Sequence, residues 1–178
     1  MIETLLNLKN TNTLFLDRDG VINKHRINDY VKDWKEFEFL PGVLEAMALL
    51  NLYFNRIFIV TNQRGVGKKI MSELDLIDIN NRMLSTIRKA NGRIDKIYYC
   101  TEMDDSNLNR KPNPGMAYQA KSDYPEIEFN QCIMVGDSQS DIEFGNRLGM
   151  TTLLINQNGE ESGLLNFAKQ LEYKNLHL

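Results

Sequence analysis

The sequence predicts an α/β protein built on a parallel sheet with helices on both faces. Three observations carry that expectation. Short apolar runs alternate with stretches of helical periodicity along the chain. The run Leu14-Phe15-Leu16 breaks off into Asp17-Arg18-Asp19-Gly20, as a buried strand does when it delivers charge to the edge of a sheet. Charged and hydroxyl groups come after several of the expected strands, so one end of the sheet collects them.

In chain order, residues 13–16 read as the first strand. Pro41-Gly42 opens an apolar-periodic stretch to residue 52, a helix with proline near its first turn. Arg56-Ile57-Phe58-Ile59-Val60 is β-branched and aromatic, the second strand. Ser72 can cap a long helix running to about residue 90, which Asn91-Gly92 can stop. Residues 94–99 are the third strand and 114–122 a short helix. Residues 132–135 are the fourth strand, 138–148 a helix ended by Gly149, and 152–155 the fifth strand. A closing helix is expected from residue 160 to about 173. The chain of 178 residues suits one domain over 1–178.

Composition narrows the classes. The hydrophobic fraction of 42% supplies a packed core, and the net charge of −3 without a long basic run argues against duplex DNA as the main partner. The first residues lack the basic and long apolar parts of a signal peptide, and no apolar run reaches membrane-spanning length. Two cysteines, Cys100 and Cys132, are too few for a disulfide framework. A cytoplasmic protein with no membrane partner is expected.

The candidate chemistry lies after the strands. Asp17 and Asp19 come after the first, Thr61-Asn62-Gln63 after the second, Arg110-Lys111-Pro112 in the loop after the third, and Gly136-Asp137-Ser138 with Asp141 after the fourth. Two crowded carboxylates repel unless a cation lies between them or one keeps a proton. A divalent cation and a phosphate ester would use both arrangements. Asp141 suits a first-turn helix acid as well as a group that orients Lys111 or a metal-bound water, and these readings stay open. Gly65-Val66-Gly67-Lys68-Lys69 is not a P-loop: Asn62 stands where the first glycine should be, and Lys69 where Ser or Thr should come next. Those glycines are expected to form a turn.

Together these four segments resemble the haloacid dehalogenase (HAD) superfamily of phosphotransferases, over roughly residues 13–155. The resemblance implies a HAD-like, Rossmann-like fold and a phosphomonoesterase. Asp17 would be the nucleophile that forms an aspartyl-phosphate, and Asp19 the acid and base for leaving group and water. Thr61 would hold the transferring phosphoryl group and Lys111 offset its charge. Mg2+ would be held by the carboxylates of Asp17 and Asp137 and the backbone carbonyl of Asp19.

The spaces between residues 20 and 56 and between 100 and 110 are too short for a cap domain, so an essentially capless, open site is expected. Asp17-Arg18-Asp19-Gly20-Val21-Ile22-Asn23, Phe37-Glu38-Phe39-Leu40-Pro41-Gly42-Val43, Thr61-Asn62-Gln63 and Arg110-Lys111-Pro112-Asn113-Pro114-Gly115-Met116 resemble the histidinol-phosphate and heptose-bisphosphate phosphatases. By that resemblance Asn62, Gln63, Arg64, Arg110 and residues 25–30 line the substrate site, and Arg110 could fork onto a second phosphate.

Two departures stand out. The group usually ties the loop before Arg-Lys with zinc on three cysteines and a histidine. Here Cys100 keeps one position, while Glu102, Asn107 and Asn109 replace the others, so no structural zinc is expected and hydrogen bonds and packing must hold the loop. Arg64 also stands where a small residue is usual.

The expected substrate is a small phosphorylated metabolite, foremost D-glycero-D-manno-heptose 1,7-bisphosphate in a surface-sugar precursor pathway. Histidinol phosphate is the near alternative. Thr61-Asn62-Gln63 and Leu108-Asn109-Arg110-Lys111-Pro112 also resemble polynucleotide 3′-phosphatases, against which the low basic content speaks. A non-catalytic binding module is disfavoured by the intact Asp17, Asp19, Lys111 and Asp137. A monomer is expected over an oligomer.

Overall fold

Five parallel strands form one sheet in the order β3-β2-β1-β4-β5. They are β1 (Thr13–Leu16), β2 (Arg56–Asn62), β3 (Lys96–Cys100), β4 (Cys132–Gly136) and β5 (Thr151–Leu154). The structure, a computed structural model, describes residues 12–26, 29–155 and 162–176. β1 pairs with β2 on one side and β4 on the other, with Leu16 opposite Ile59 and Val135. The chain winds outward from β1 to β3, then returns to start β4 beside β1. The strand order therefore reverses between β1 and β4, and a crevice opens at their carboxyl ends.

Side-chain alternation divides the core into two layers. Leu14, Leu16, Ile57, Ile59, Ile133 and Val135 face one layer, covered by α1 (Val43–Tyr53), α3 (Glu73–Lys89) and α6 (Gly163–Leu176). Phe15, Phe58, Val60 and Met134 face the other, covered by α4 (Gly115–Asp123) and α5 (Gln139–Arg147). Helix ends are set locally. Ser72 and Asp75 exchange hydrogen bonds in a capping box at the start of α3. Asn91, with φ of 63°, turns the chain out of α3, and the Gly92 N–H bonds the Ile87 carbonyl at 2.9 Å.

The expected elements are present with shifted ends. β2 runs to Asn62, because Thr61 and Asn62 pair with Tyr99 and Cys100 of β3. β3 starts at Lys96 and β5 at Thr151. The closing helix is described from Gly163; its expected start at residue 160 lies outside the described residues. A one-turn helix, α2 (Arg64–Gly67), replaces the expected turn. Gly67 is required there, since a Cβ would lie 2.2 Å from the Thr101 carbonyl oxygen. No cap interrupts the described residues between β1 and α1 or between β3 and α4. The first of these segments closes on itself. The Lys24 N–H donates to the Glu38 carbonyl at 2.8 Å, the Leu40 N–H to the Ile22 carbonyl at 3.0 Å, and Trp34 stacks on Phe37. No helix among the described residues is long and apolar enough to cross a membrane.

Candidate active site

Lys111 stands at the centre of the crevice, only 3% exposed. Its Nζ lies 2.8 Å from Asp17 Oδ1 and 2.6 Å from Asp141 Oδ1. Burial alone would lower its pKa, but the charges of Asp17 and Asp141 reverse that and hold it above the ordinary lysine value. Asn62, at the end of β2, fixes the Lys111 backbone. Its Nδ2 donates to the Lys111 carbonyl at 3.1 Å and its Oδ1 accepts the Lys111 N–H at 3.0 Å. Asp141 is held by its own helix: Oδ2 accepts from the Ser138 N–H at 3.1 Å and the Ser138 hydroxyl at 2.7 Å. Asp141 thus meets its own helix start with one oxygen and Lys111 with the other. Gly136 allows the approach, since a Cβ there would lie 2.1 Å from Asp141 Cβ.

Asp17 accepts the Arg18 N–H at 2.7 Å. Burial pushes its carboxyl up to about 7; Lys111 pulls it down and Asp141 adds to the rise. Asp17, Asp137 and Asp141 each place a carboxylate oxygen within 4.8 Å of the others. An all-oxygen set of this kind suits a hard divalent cation. Within that set Asp141 also binds Lys111 and Ser138, and Asp17 also binds Lys111 and the Arg18 N–H. His25 Nδ1 lies 3.7 Å from Asp137 Oδ2.

Asp19 is held from three sides. Arg18 Nη2 donates to Asp19 Oδ1 at 3.1 Å and Oδ2 at 3.0 Å. Asn23 Nδ2 donates to Oδ1 at 2.9 Å, and Gln63 Nε2 to Oδ2 at 2.8 Å. Burial would raise this carboxyl, but the Arg18 charge and these hydrogen bonds overcome it and hold the pKa below the usual value. Gln63 Nε2 also reaches Thr61 Oγ1 at 2.9 Å, which ties Thr61 and Asp19 into one network.

Beside Asp19 opens a cleft of about 350 Å³, lined by His25, Arg26, Tyr30, Arg64 and Arg110 among others. Arg64 Nη2 and Arg110 Nε both donate to Asp105 Oδ1, the latter at 2.8 Å. The site thus joins a buried carboxylate–lysine pair, a second carboxylate locked in hydrogen bonds, and a cationic cleft. That arrangement can attack, neutralise and protonate a phosphate ester.

Comparison with known proteins agrees. A family model described as HAD-hydrolase-like matches residues 108–173. A D-glycero-α-D-manno-heptose-1,7-bisphosphate 7-phosphatase of Mycobacterium tuberculosis is 38% identical over 136 residues, covering 76% of this chain and 72% of that one. The chain belongs to this family of HAD-like phosphatases. The Campylobacter jejuni enzyme of the same name is 34% identical over 163 residues, covering 91% of this chain and 92% of that one. Among solved structures, the D,D-heptose 1,7-bisphosphate phosphatase of B. bronchiseptica, complexed with magnesium and phosphate, superposes with a TM-score of 0.81. It is 28% identical and covers 92% of this chain and 99% of that one.

In this HAD-like phosphatase, the loop after β3 is tied by side-chain hydrogen bonds. Asn107 Oδ1 accepts the Asn109 N–H at 2.9 Å and faces Cys100 Sγ at 4.0 Å. Asp104 Oδ1 accepts the N–H and hydroxyl of Ser106, each at 2.8 Å. Asn113 Nδ2 reaches the carbonyls of Asn107 at 2.9 Å and Asp105 at 3.1 Å. Asn109 Oδ1 accepts from Gln119 at 3.0 Å.

Sequence reasoning missed Arg18, which is 1% exposed. Besides Asp19 it reaches Gln63 Oε1 at 3.1 Å and Asn80 Oδ1 of α3 at 3.3 Å. Its place between two acidic residues at the end of a buried strand was the available signal. Asn62 and Gln63, expected against substrate, have their amides engaged with Lys111 and Asp19, although both also border the cleft.

Proposed function

We propose that this single domain, residues 1–178, removes the C7 phosphate of D-glycero-D-manno-heptose 1,7-bisphosphate through a phosphoryl-Asp17 intermediate. The observation that carries the reading is the buried contact of Lys111 with Asp17, at the strand-order reversal of a fold shared with phosphatases named for that substrate.

An Asp17 oxygen attacks phosphorus, and the bond from phosphorus to the sugar oxygen breaks. Asp19 gives that oxygen its proton. The arriving phosphate dianion raises the proton affinity of Asp19, offsetting the pull of Arg18. In the second half Asp19 takes a proton from water, water oxygen bonds to phosphorus, and the Asp17–phosphorus ester breaks to release phosphate. Lys111 neutralises charge on the phosphoryl oxygens and Thr61 holds them. Asp17, Asp137 and the Asp19 carbonyl would hold a magnesium ion, which when bound would keep Asp17 ionised and offset the repulsion between it and the phosphate. Asn62 and Gln63 act by positioning Lys111 and Asp19. Arg64 and Arg110 receive the second phosphate, which a guanidinium can meet with two parallel hydrogen bonds.

The test is phosphate release with Mg2+ from both heptose 1,7-bisphosphate anomers, histidinol phosphate and an oligonucleotide 3′-phosphate, with phosphorus NMR to locate the phosphate that remains. The α anomer, named for the M. tuberculosis and C. jejuni relatives, is the first to assay. Loss of the C7 phosphate supports the reading. Preference for histidinol phosphate or the oligonucleotide overturns the substrate and keeps the chemistry.

A further inference from the structure

Arg64 and Arg110 meet at the mouth of the cleft over one carboxylate oxygen, Oδ1 of Asp105. The three residues differ sharply in exposure. The side chain of Arg110 is 10% exposed and that of Asp105 80%. Two guanidinium nitrogens here are buried without a partner, Arg64 Nε and Arg110 Nη1. A buried N–H left unpaired costs about 1–3 kcal/mol, so each such group marks a place where an acceptor fits. Asp105 meets one nitrogen of each arginine through a single oxygen and leaves these two without an acceptor. A phosphate, with three terminal oxygens and close to two charges, can supply acceptors for more of these donors. The backbone of Asp105 is pinned through its carbonyl by Asn113, while its carboxylate stands in solvent and can swing aside.

We propose that Asp105 is a built-in competitor for the second phosphate of the substrate, a specificity-determining residue that holds Arg64 and Arg110 together and yields them when a bisphosphate enters. This rests on the bisphosphate reading of the site. The exposed carboxylate keeps the two like charges from splaying apart in the free enzyme. Ion pairs at such exposure are worth about 0–1 kcal/mol, so a dianion that meets more of the donors displaces it. A substrate with one phosphate has nothing to put in its place.

The experiment compares Asp105→Asn with the parent enzyme on heptose 1,7-bisphosphate and heptose 7-phosphate. The side chain is exposed and the change nearly isosteric, so the variant folds. The expected result is that KM for the bisphosphate, relative to KM for the monophosphate, falls about five-fold, the equivalent of roughly 1 kcal/mol. A ratio that is unchanged or rises overturns the proposal and assigns Asp105 to positioning the arginines. If neither heptose ester is hydrolysed, the functional reading falls. The Asp105 proposal is then judged by calorimetry of inorganic phosphate with the metal-free protein. Phosphate should bind about five-fold tighter to Asp105→Asn than to the parent, with the gain abolished by adding Arg110→Ala. Equal affinities overturn it.

Discussion

Lys111 Nζ lies 2.6 Å from Oδ1 of Asp141, a carboxylate with no exposure to solvent. The pair is buried on both sides, and Asp17 shares the ammonium from 2.8 Å. Losing one partner of a buried pair costs up to about 3–5 kcal/mol; here Asp17 still compensates Lys111 in part, and the Ser138 contacts of Asp141 are lost as well. Asp141→Ala should therefore lower the melting temperature by roughly 10 °C. It should also cut kcat, because Lys111 then pairs with Asp17 alone. Thermal melts and phosphate release on the same preparation check both. A variant that melts like the parent would remove the ion pair from the account of the fold.

Asp17→Asn keeps the shape of the side chain and deletes its charge. Turnover should disappear, since the proposed covalent step needs the carboxylate. The fold should persist, because burial disfavours the Asp17 charge more than Lys111 favours it, and Lys111 keeps Asp141 as its partner at 2.6 Å. Phosphate release together with a thermal melt distinguishes lost chemistry from lost structure. Residual turnover above the background rate would end the aspartyl-phosphate mechanism.

The raised Asp17 carboxyl makes the metal-free protein sensitive to pH. Its ordinary value is 3.8 and burial pushes it to about 7 in the fold. Between those values the folded state keeps a proton that the unfolded state has lost. Stability contributed here is thus lost as pH rises from about 4 to 7. With a chelator present, the melting temperature should fall by on the order of 5 °C across that window. Adding Mg2+ at pH 7.5 should restore it, because a cation favours the ionised carboxylate. Melts at stepped pH, with and without the ion, provide the measurement. A metal-free stability that climbs steadily through this range contradicts the prediction.

Neither thiol should react in the native protein. Cys132 is wholly buried and burial pushes its thiol up to about 12; Cys100 is 3% exposed and burial raises it too. Both are protonated at pH 8, and the thiolate is the reactive form. An aromatic disulfide reagent should titrate no thiol before unfolding and both in denaturant. Rapid native labelling would show that the loop after β3 opens.

Most of the sheet was legible because its strands are buried on both faces. β1 and β4 read as unbroken apolar runs, and no polar alternation blurs them. β5 lies at the edge with partial exposure, and it starts one residue earlier than its apolar run suggests. α2 was illegible, since one turn of helix has no periodicity to detect. Its glycine is dictated by the Thr101 carbonyl on a different strand's loop. At the site, the carboxylates and Lys111 could be found from the residues just past each strand. Arg18 was missed, because an arginine is ordinarily a surface residue and its place between Asp17 and Asp19 was the one signal against that. Its burial is tolerable because Asp19 pairs its charge while Asn80 from α3 and Gln63 just past β2 accept further hydrogen bonds. Asp105 is one acid in a polar loop by sequence; its meaning depends on Arg110 in the same loop and on Arg64, which α2 brings to it.

The pairing of β1 with β4 has a consequence for the birth of the molecule. Asp17 and Asp137 follow strands that are neighbours in space and far apart in the sequence. Thr61 and Lys111 enter from the segments between. Such distant pairing closes late, after the local helices and the β2–β3 side can already have formed. A growing chain therefore carries separate fragments of the crevice, none of which can grip a cation or a phosphate. The first turnover reports that the last long loop has closed.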